Sequence, residues 1–189
     1  MSLRLRHPSS LPAWWPELKP QRIMIVGPSN SGKSTLAQRL GKHLELPAFD
    51  LDELNWLPGW QMRSSEELRE SVRQIVDTPA WVLAGNYERT QDLSWPQAQV
   101  VIWLDFEKDL VLKRALKRCL YRYFLKEACC NGNYESLRMT FFSRDSLLLW
   151  ILKVHARQRL RYQERAKEQT GPLILHLHQP REIEILFKR

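Results

Sequence analysis

Residues 27–35 read Gly27-Pro28-Ser29-Asn30-Ser31-Gly32-Lys33-Ser34-Thr35. The spacing is G-x-x-x-x-G-K-S, the pattern of a loop that wraps phosphate. Small residues let the backbone curl until several N–H groups point inward at phosphate oxygens. A helix that starts immediately afterwards adds the positive end of its dipole. Gly27, Ser29, Asn30, Ser31, Gly32, Lys33, Ser34 and Thr35 are therefore a candidate ATP cradle. Lys33 places a cation on the β- and γ-phosphates, and the Ser34 hydroxyl is a candidate Mg²⁺ ligand. The flanks have the required context. Arg22-Ile-Met-Ile-Val26 is a short β-branched run that reads as a buried strand. Leu36, Leu40 and Leu44 recur every four residues, which predicts a helix over 34–46 with Pro47 just past its end.

The same reading extends along the chain. Residues 48–51 form a brief second strand. Ser64-Ser65-Glu66-Glu67 is a capping-box pattern that opens a helix with Leu68, Val72, Ile75 and Val76 on one face. Residues 81–84 are a third strand ending at Gly85-Asn86. Residues 100–106 are a fourth, nearly all apolar, as a strand covered on both faces requires. Helices are predicted over 107–126 and 144–168, a fifth strand over 173–177, and a short helix from Pro180. Residues 128–143 contain Asn-Gly-Asn and no clear period, so they read as a mobile excursion. Strands alternating with helices predict an α/β fold with a parallel sheet.

The chain has 189 residues, enough for one domain. Residues 1–20 carry four prolines and read as an irregular arm; residues 21–189 form a single domain with a lid insertion at about 125–144. The longest apolar run, Leu147–Leu152, is far short of the roughly 20 residues that span a bilayer. The N-terminal residues lack the apolar segment of a secretory signal. Cys119, Cys129 and Cys130 form no C-x-x-C pair, so a disulfide framework or zinc site is not expected, and a reducing cytoplasm fits best. His7, His43, His155, His176 and His178 show no ligand spacing in sequence and read as structural.

Asp50 and Asp52 stand in Phe49-Asp-Leu-Asp-Glu53, at the end of the second strand. In a parallel sheet that end shares an edge with the phosphate loop. Asp50 is a candidate Mg²⁺ ligand. Asp52 is a candidate for orienting an acceptor and taking its proton. An extended D-L-D turns both side chains the same way; a surface turn or a helix cap is the competing reading. Asn55-Trp56-Leu57-Pro58-Gly59-Trp60 follows, and Trp56 and Trp60 either wall an acceptor pocket or belong to the core. Asp105, at the end of Val-Val-Ile-Trp-Leu-Asp, is a weaker metal-ligand candidate.

Charge is concentrated. Residues 111–167 hold fourteen Lys/Arg against four Asp/Glu, or +10, and the net charge is +8, so the remainder is −2. A basic C-terminal half implies an anionic partner, phosphate groups or nucleic acid. Arg114, Arg118 and Arg122 form one helical stripe at i, i+4, i+8. Arg157, Arg159 and Arg161 follow beyond the excursion. Arg114, Arg118 and Arg157 are the candidate catalytic arginines, because a transferred phosphoryl group spreads negative charge that a closing basic segment can stabilise.

Taken in order, the phosphate loop, Phe-Asp-Leu-Asp with Trp-Leu-Pro-Gly-Trp, Gly85-Asn86-Tyr87, Val-Ile-Trp-Leu-Asp and the arginine helix resemble the adenylate-kinase-related topology modulation proteins (FlaR-type) over about residues 22–178. The resemblance implies a three-layer P-loop NTPase with a five-stranded parallel sheet in order 2-3-1-4-5 and a helical lid. Related kinases use a lid R-x-x-x-R, which matches Arg114 and Arg118. Shikimate and gluconate kinases use a D-x-D, which matches Asp50 and Asp52. The family reads Asp-Gly-Asn-Tyr after the third strand, where this chain has Ala84-Gly85-Asn86-Tyr87. The leading expectation is an ATP-dependent, nucleoside-monophosphate-kinase-like phosphotransferase with Lys33, Asp50, Asp52 and the arginines at its centre. A small acceptor would lie near Asp52, Trp56, Trp60, Gly85 and Asn86. The alternatives are an ATP-binding regulator that holds DNA through its basic half, and a nucleotide-binding protein that has lost catalysis.

Overall fold

The computed structural model describes residues 5–6, 19–134, 147–168 and 170–187. Five parallel strands form the body of the sheet: β1 (Arg22–Val26), β2 (Ala48–Asp50), β3 (Trp81–Ala84), β4 (Val100–Leu104) and β5 (Leu173–Leu177). Their spatial order is β2-β3-β1-β4-β5, the 2-3-1-4-5 order that the resemblance implies. Leu5–Arg6, in the arm expected to be irregular, adds a short parallel strand outside β5.

Alternation along each strand builds two cores. Ile23 and Ile25 face one side, with Leu36 and Leu40 of α1 (Lys33–Leu44). Val111 and Ala115 of α5 (Lys108–Leu125) and Leu186 of the 3₁₀ segment Pro180–Phe187 complete that layer. Met24 and Val26 face the other side. They meet Leu68 and Val72 of α3 (Ser65–Val76) and Trp95 of α4 (Glu88–Gln97). Each fully buried large apolar side chain contributes roughly 1.5–3 kcal/mol relative to exposure.

α6 (Leu147–Lys167) places Ile151 in the first core and Tyr162 and Ala166 in the second. It therefore crosses the C-terminal edge of the sheet. His155 Nε2 lies 2.9 Å from the Phe106 carbonyl oxygen there. Residues 135–146, most of the excursion between α5 and α6, lie outside the described residues. Its beginning is a small antiparallel hairpin, Ala128–Cys129 with Asn133–Tyr134. The Ser64 cap is a full capping box. β2 is shorter than expected because α2 (Leu51–Asn55) starts at Leu51. No helix among the described residues is long and apolar enough to cross a membrane.

Candidate functional site

The strand-to-helix turn needs special backbone. Gly27 has φ 144°, and a Cβ there would sit 2.5 Å from the Leu104 carbonyl oxygen. Only glycine fits that approach. Asn30 and Gly32 are also left-handed, at φ 64° and 98°. The curl is held from outside by Asn86. Its Oδ1 accepts from Gly27 N at 3.0 Å and its Nδ2 donates to Gly27 O at 2.7 Å. The amide expected to meet an acceptor also holds the phosphate loop. Gly85 beside it packs on Leu51, where a Cβ would come within 2.6 Å.

The loop suits a phosphate chain by three observations. α1 begins with no side-chain cap and no acid in its first turn, leaving its N–H groups to an anion. Ser31 is fully buried, yet its Oγ has no hydrogen-bond partner. Lys33 Nζ donates to Pro28 O at 3.0 Å. Burial pulls the Lys33 ammonium below the usual lysine range, against the Asp52 and Asp50 carboxylates, and Arg118 adds to the lowering. A triphosphate would partner both groups. Ser29 and Ser34 are half-buried and Thr35 is exposed.

The Asp50 carboxylate accepts from Asp52 N at 2.9 Å and lies close enough to the Ser34 hydroxyl for that group to favour its ionised form. It therefore caps α2 and faces the loop at once. Burial raises its pKa, the Asp52 charge raises it further, and the Ser34 hydroxyl, the Asp52 N–H and Lys33 oppose the rise. The Ser34 hydroxyl and Asp50 carboxylate supply the oxygen donors that Mg²⁺ prefers. The expected extended D-L-D is not formed: Asp50 ends a strand and Asp52 lies in α2. Both still act on Lys33.

Tyr87 Oη donates to Asp52 Oδ1 at 2.8 Å. Asn55 Nδ2 donates to Tyr87 Oη at 3.1 Å, and Arg89 donates to Asn55 Oδ1. Burial and then the Asp52 charge push the Tyr87 phenol far up, so it stays a donor. Sequence reading missed this relay. Its members lie on α2, α4 and the loop after β3, so no local spacing marks them.

The aromatic loop is a clasped unit. Trp56 and Trp60 pack edge to face with centroids 5.5 Å apart. The hairpin after α5 holds them. Trp60 N donates to Asn133 Oδ1 at 2.8 Å, and Trp60 Nε1 to Tyr134 O at 3.0 Å. Asn131 Nδ2 donates to Trp56 O at 2.7 Å.

The arginines divide. Arg114 Nη1 donates to Ser31 O at 3.1 Å, touching the phosphate loop. Arg118 is near enough to lower the Lys33 pKa. Arg157 is exposed on α6. Arg159, two residues on, reaches the sheet edge through Asp105, and Arg161 pairs with Glu88. Asp105 is buried and bound to Arg159 and His176.

No protein-family model and no curated protein matches the chain. Solved structures do. Shikimate kinase from Acinetobacter baumannii in complex with shikimate superposes with a TM-score of 0.55 at 18% identity, covering 91% of this chain and 92% of that one. Shikimate kinase from Bacteroides thetaiotaomicron gives 0.52 at 15%, covering 89% and 94%. A gluconokinase from Sinorhizobium meliloti 1021 gives 0.49 at 14%, covering 89% and 90%. At these identities the likeness to the two shikimate kinases is one of fold, and the chain has the P-loop kinase fold.

Proposed function

We propose that the chain is an ATP-dependent phosphotransferase acting on a small acceptor. One convergence carries this reading: the loop cation Lys33, the neighbouring Ser34 and Asp50, the Tyr87-held Asp52 and Arg114 of α5 meet at one sheet edge. A DNA-holding module has no use for two carboxylates beside its phosphate loop. The D-x-D favours a hydroxyl-bearing acceptor over a nucleoside monophosphate, the substrate class suggested by the topology modulation resemblance.

Each residue has a distinct part. The loop N–H groups and Lys33 hold the phosphate chain. Mg²⁺, held by Ser34 and Asp50, would supply charge neutralisation when bound. Tyr87 engages Oδ1 of Asp52, leaving Oδ2 to receive the acceptor's proton as its oxygen bonds to the γ-phosphorus and ADP departs. Arg114 and Arg118 counter the charge that spreads over the moving group.

Saturating MgATP at about 100 times Kd stabilises by about 2.7 kcal/mol. For a domain of this size that raises Tm by about 5–10 °C. Lys33→Ala is expected to remove most of the shift, and ADP release is expected to rise with one member of a panel of hydroxylated metabolites. No shift with any purine nucleotide refutes the proposal.

A further inference from the structure

His176-Leu177 ends β5 with His178 one residue past it, and Asp105 lies one residue past β4. The parallel register pairs His176 with Trp103 and Leu177 with Leu104. Asp105 N donates to Leu177 O at 2.8 Å, which carries the alignment one step beyond the strands. Residues 71 and 73 positions apart in sequence are thereby brought together. Asp105 Oδ2 is 2.8 Å from His176 Nε2 and 3.9 Å from His178 Nδ1. The three ligand atoms all lie within 4.8 Å of one another. Histidines that sequence spacing left as structural are, in the fold, a cluster.

We propose that Asp105, His176 and His178 bind a divalent transition-metal ion of the zinc class. Ligands about 2.0–2.1 Å from a tetrahedral ion stand about 3.3 Å from each other. The two separations from Asp105 bracket that value, and the third lies within 4.8 Å, so rotation of the partly exposed His178 side chain closes the set. Two imidazoles and one carboxylate suit Zn²⁺, Co²⁺ or Ni²⁺ and not Mg²⁺ or Ca²⁺, which take oxygen donors. The set leaves the fourth position to water, as three-ligand sites do.

The surroundings hold the ligands in place. The His176 ring stacks flat on Trp103, with centroids 3.9 Å apart and planes within 1°. Asp105 is 3% exposed, so its carboxylate has little freedom to turn away. The opposing group is Arg159, whose Nε donates to the same Oδ2 at 3.0 Å. Its Nη2 also meets Glu107 Oε1 at 3.3 Å, and its side chain is a third exposed. Arg159 can therefore stay on Glu107 while releasing Oδ2. It acts as a competitor for the ion. This site is separate from Ser34 and Asp50 and does not rest on the phosphotransfer reading.

The test uses the full chain, stripped with chelator and kept free of nucleotide. Co²⁺ is titrated by its visible absorption, and Zn²⁺ by calorimetry and melting. One equivalent is expected to bind, raising Tm by about 5–10 °C at 100 times Kd. His178 is partly exposed, so His178→Ala and His178→Gln both test the site with little risk to folding. Each is expected to weaken binding by at least the roughly 10–100-fold that loss of an outer-shell partner costs. Arg159→Ala is expected to tighten it. Cys129→Ser with Cys130→Ser, and Asp50→Asn, are expected to leave it unchanged. Binding that survives both His178 variants, or that is lost with the cysteines, overturns the proposal. So does the absence of one-equivalent binding in the wild type, which would leave the cluster as a charge network only.

Discussion

Asp50 shows how one residue serves two opposed demands. Its pKa is raised because burial and the Asp52 charge disfavour ionisation. The unfolded chain ionises more readily, so this group favours the folded state at low pH. That contribution is lost as pH rises through its raised folded pKa. Mg²⁺ needs the ionised form, so metal binding gains over the same window. Asp50→Asn is therefore expected to raise the ligand-free Tm at neutral pH while weakening the Mg²⁺ dependence of turnover. Asn still caps α2, so the helix start survives. Asp52→Asn is expected to leave nucleotide binding nearly intact and lower turnover by about 10²–10⁴. Tyr87→Phe, which leaves Asp52 in place but unheld, should fall between the two. Melting curves and steady-state rates across Mg²⁺ concentration check all three. Full turnover in both Asp variants would reduce the pair to a helix cap.

At the scale of elements, the phosphate loop is clamped from the turn after β3 and the aromatic loop from the hairpin after α5. Asn86→Ala leaves the Gly27 N–H and carbonyl without their side-chain partners. Unmet buried polar groups cost about 1–3 kcal/mol each. The variant is expected to melt about 2–4 °C lower per kcal/mol lost and to bind MgATP less tightly. Asn133→Ala removes the acceptor for Trp60 N. It is expected to raise the KM for the acceptor more than it lowers kcat, with altered tryptophan emission. What sequence could reveal follows from this geometry. The loop, the strands and α1, α3 and α5 are local patterns, and their positions agree with the structure to within a few residues. α4 was missed because its sequence, with Pro96 in the last turn, has little apolar face. The roles of Asn86, Asn133 and Tyr87 were not legible. Each acts on a backbone or side chain more than 30 residues away, and only the fold sets those pairings.

For the whole molecule, the +10 of residues 111–167 suggested a surface for polyanions. The fold engages part of that charge internally. Arg114 binds the phosphate loop, Arg159 binds Asp105 and Glu107, and Arg161 binds Glu88. Arg157 remains exposed on α6. The arginines that touch the loop and those that face outward can therefore be assayed against each other. If Arg114 and Arg118 stabilise a moving phosphoryl group, their alanine variants should lose about 10²–10³ in turnover. ATP affinity should change less, because the contact strengthens in the transition state. A protein that held DNA through the same residues would lose about one unit of salt-dependence slope per arginine, whatever the DNA sequence. Arg157→Ala is the outward control, since it can meet DNA without any rearrangement. We expect Arg114→Ala and Arg118→Ala to lower turnover with no change in the salt slope of DNA retention on filters, and Arg157→Ala to leave turnover near wild type. A turnover loss with Arg157→Ala as large as with Arg114→Ala would show instead that α6 closes onto the site. A slope reduced by all three variants with phosphotransfer unchanged would replace the phosphotransferase with a nucleic-acid-holding regulator.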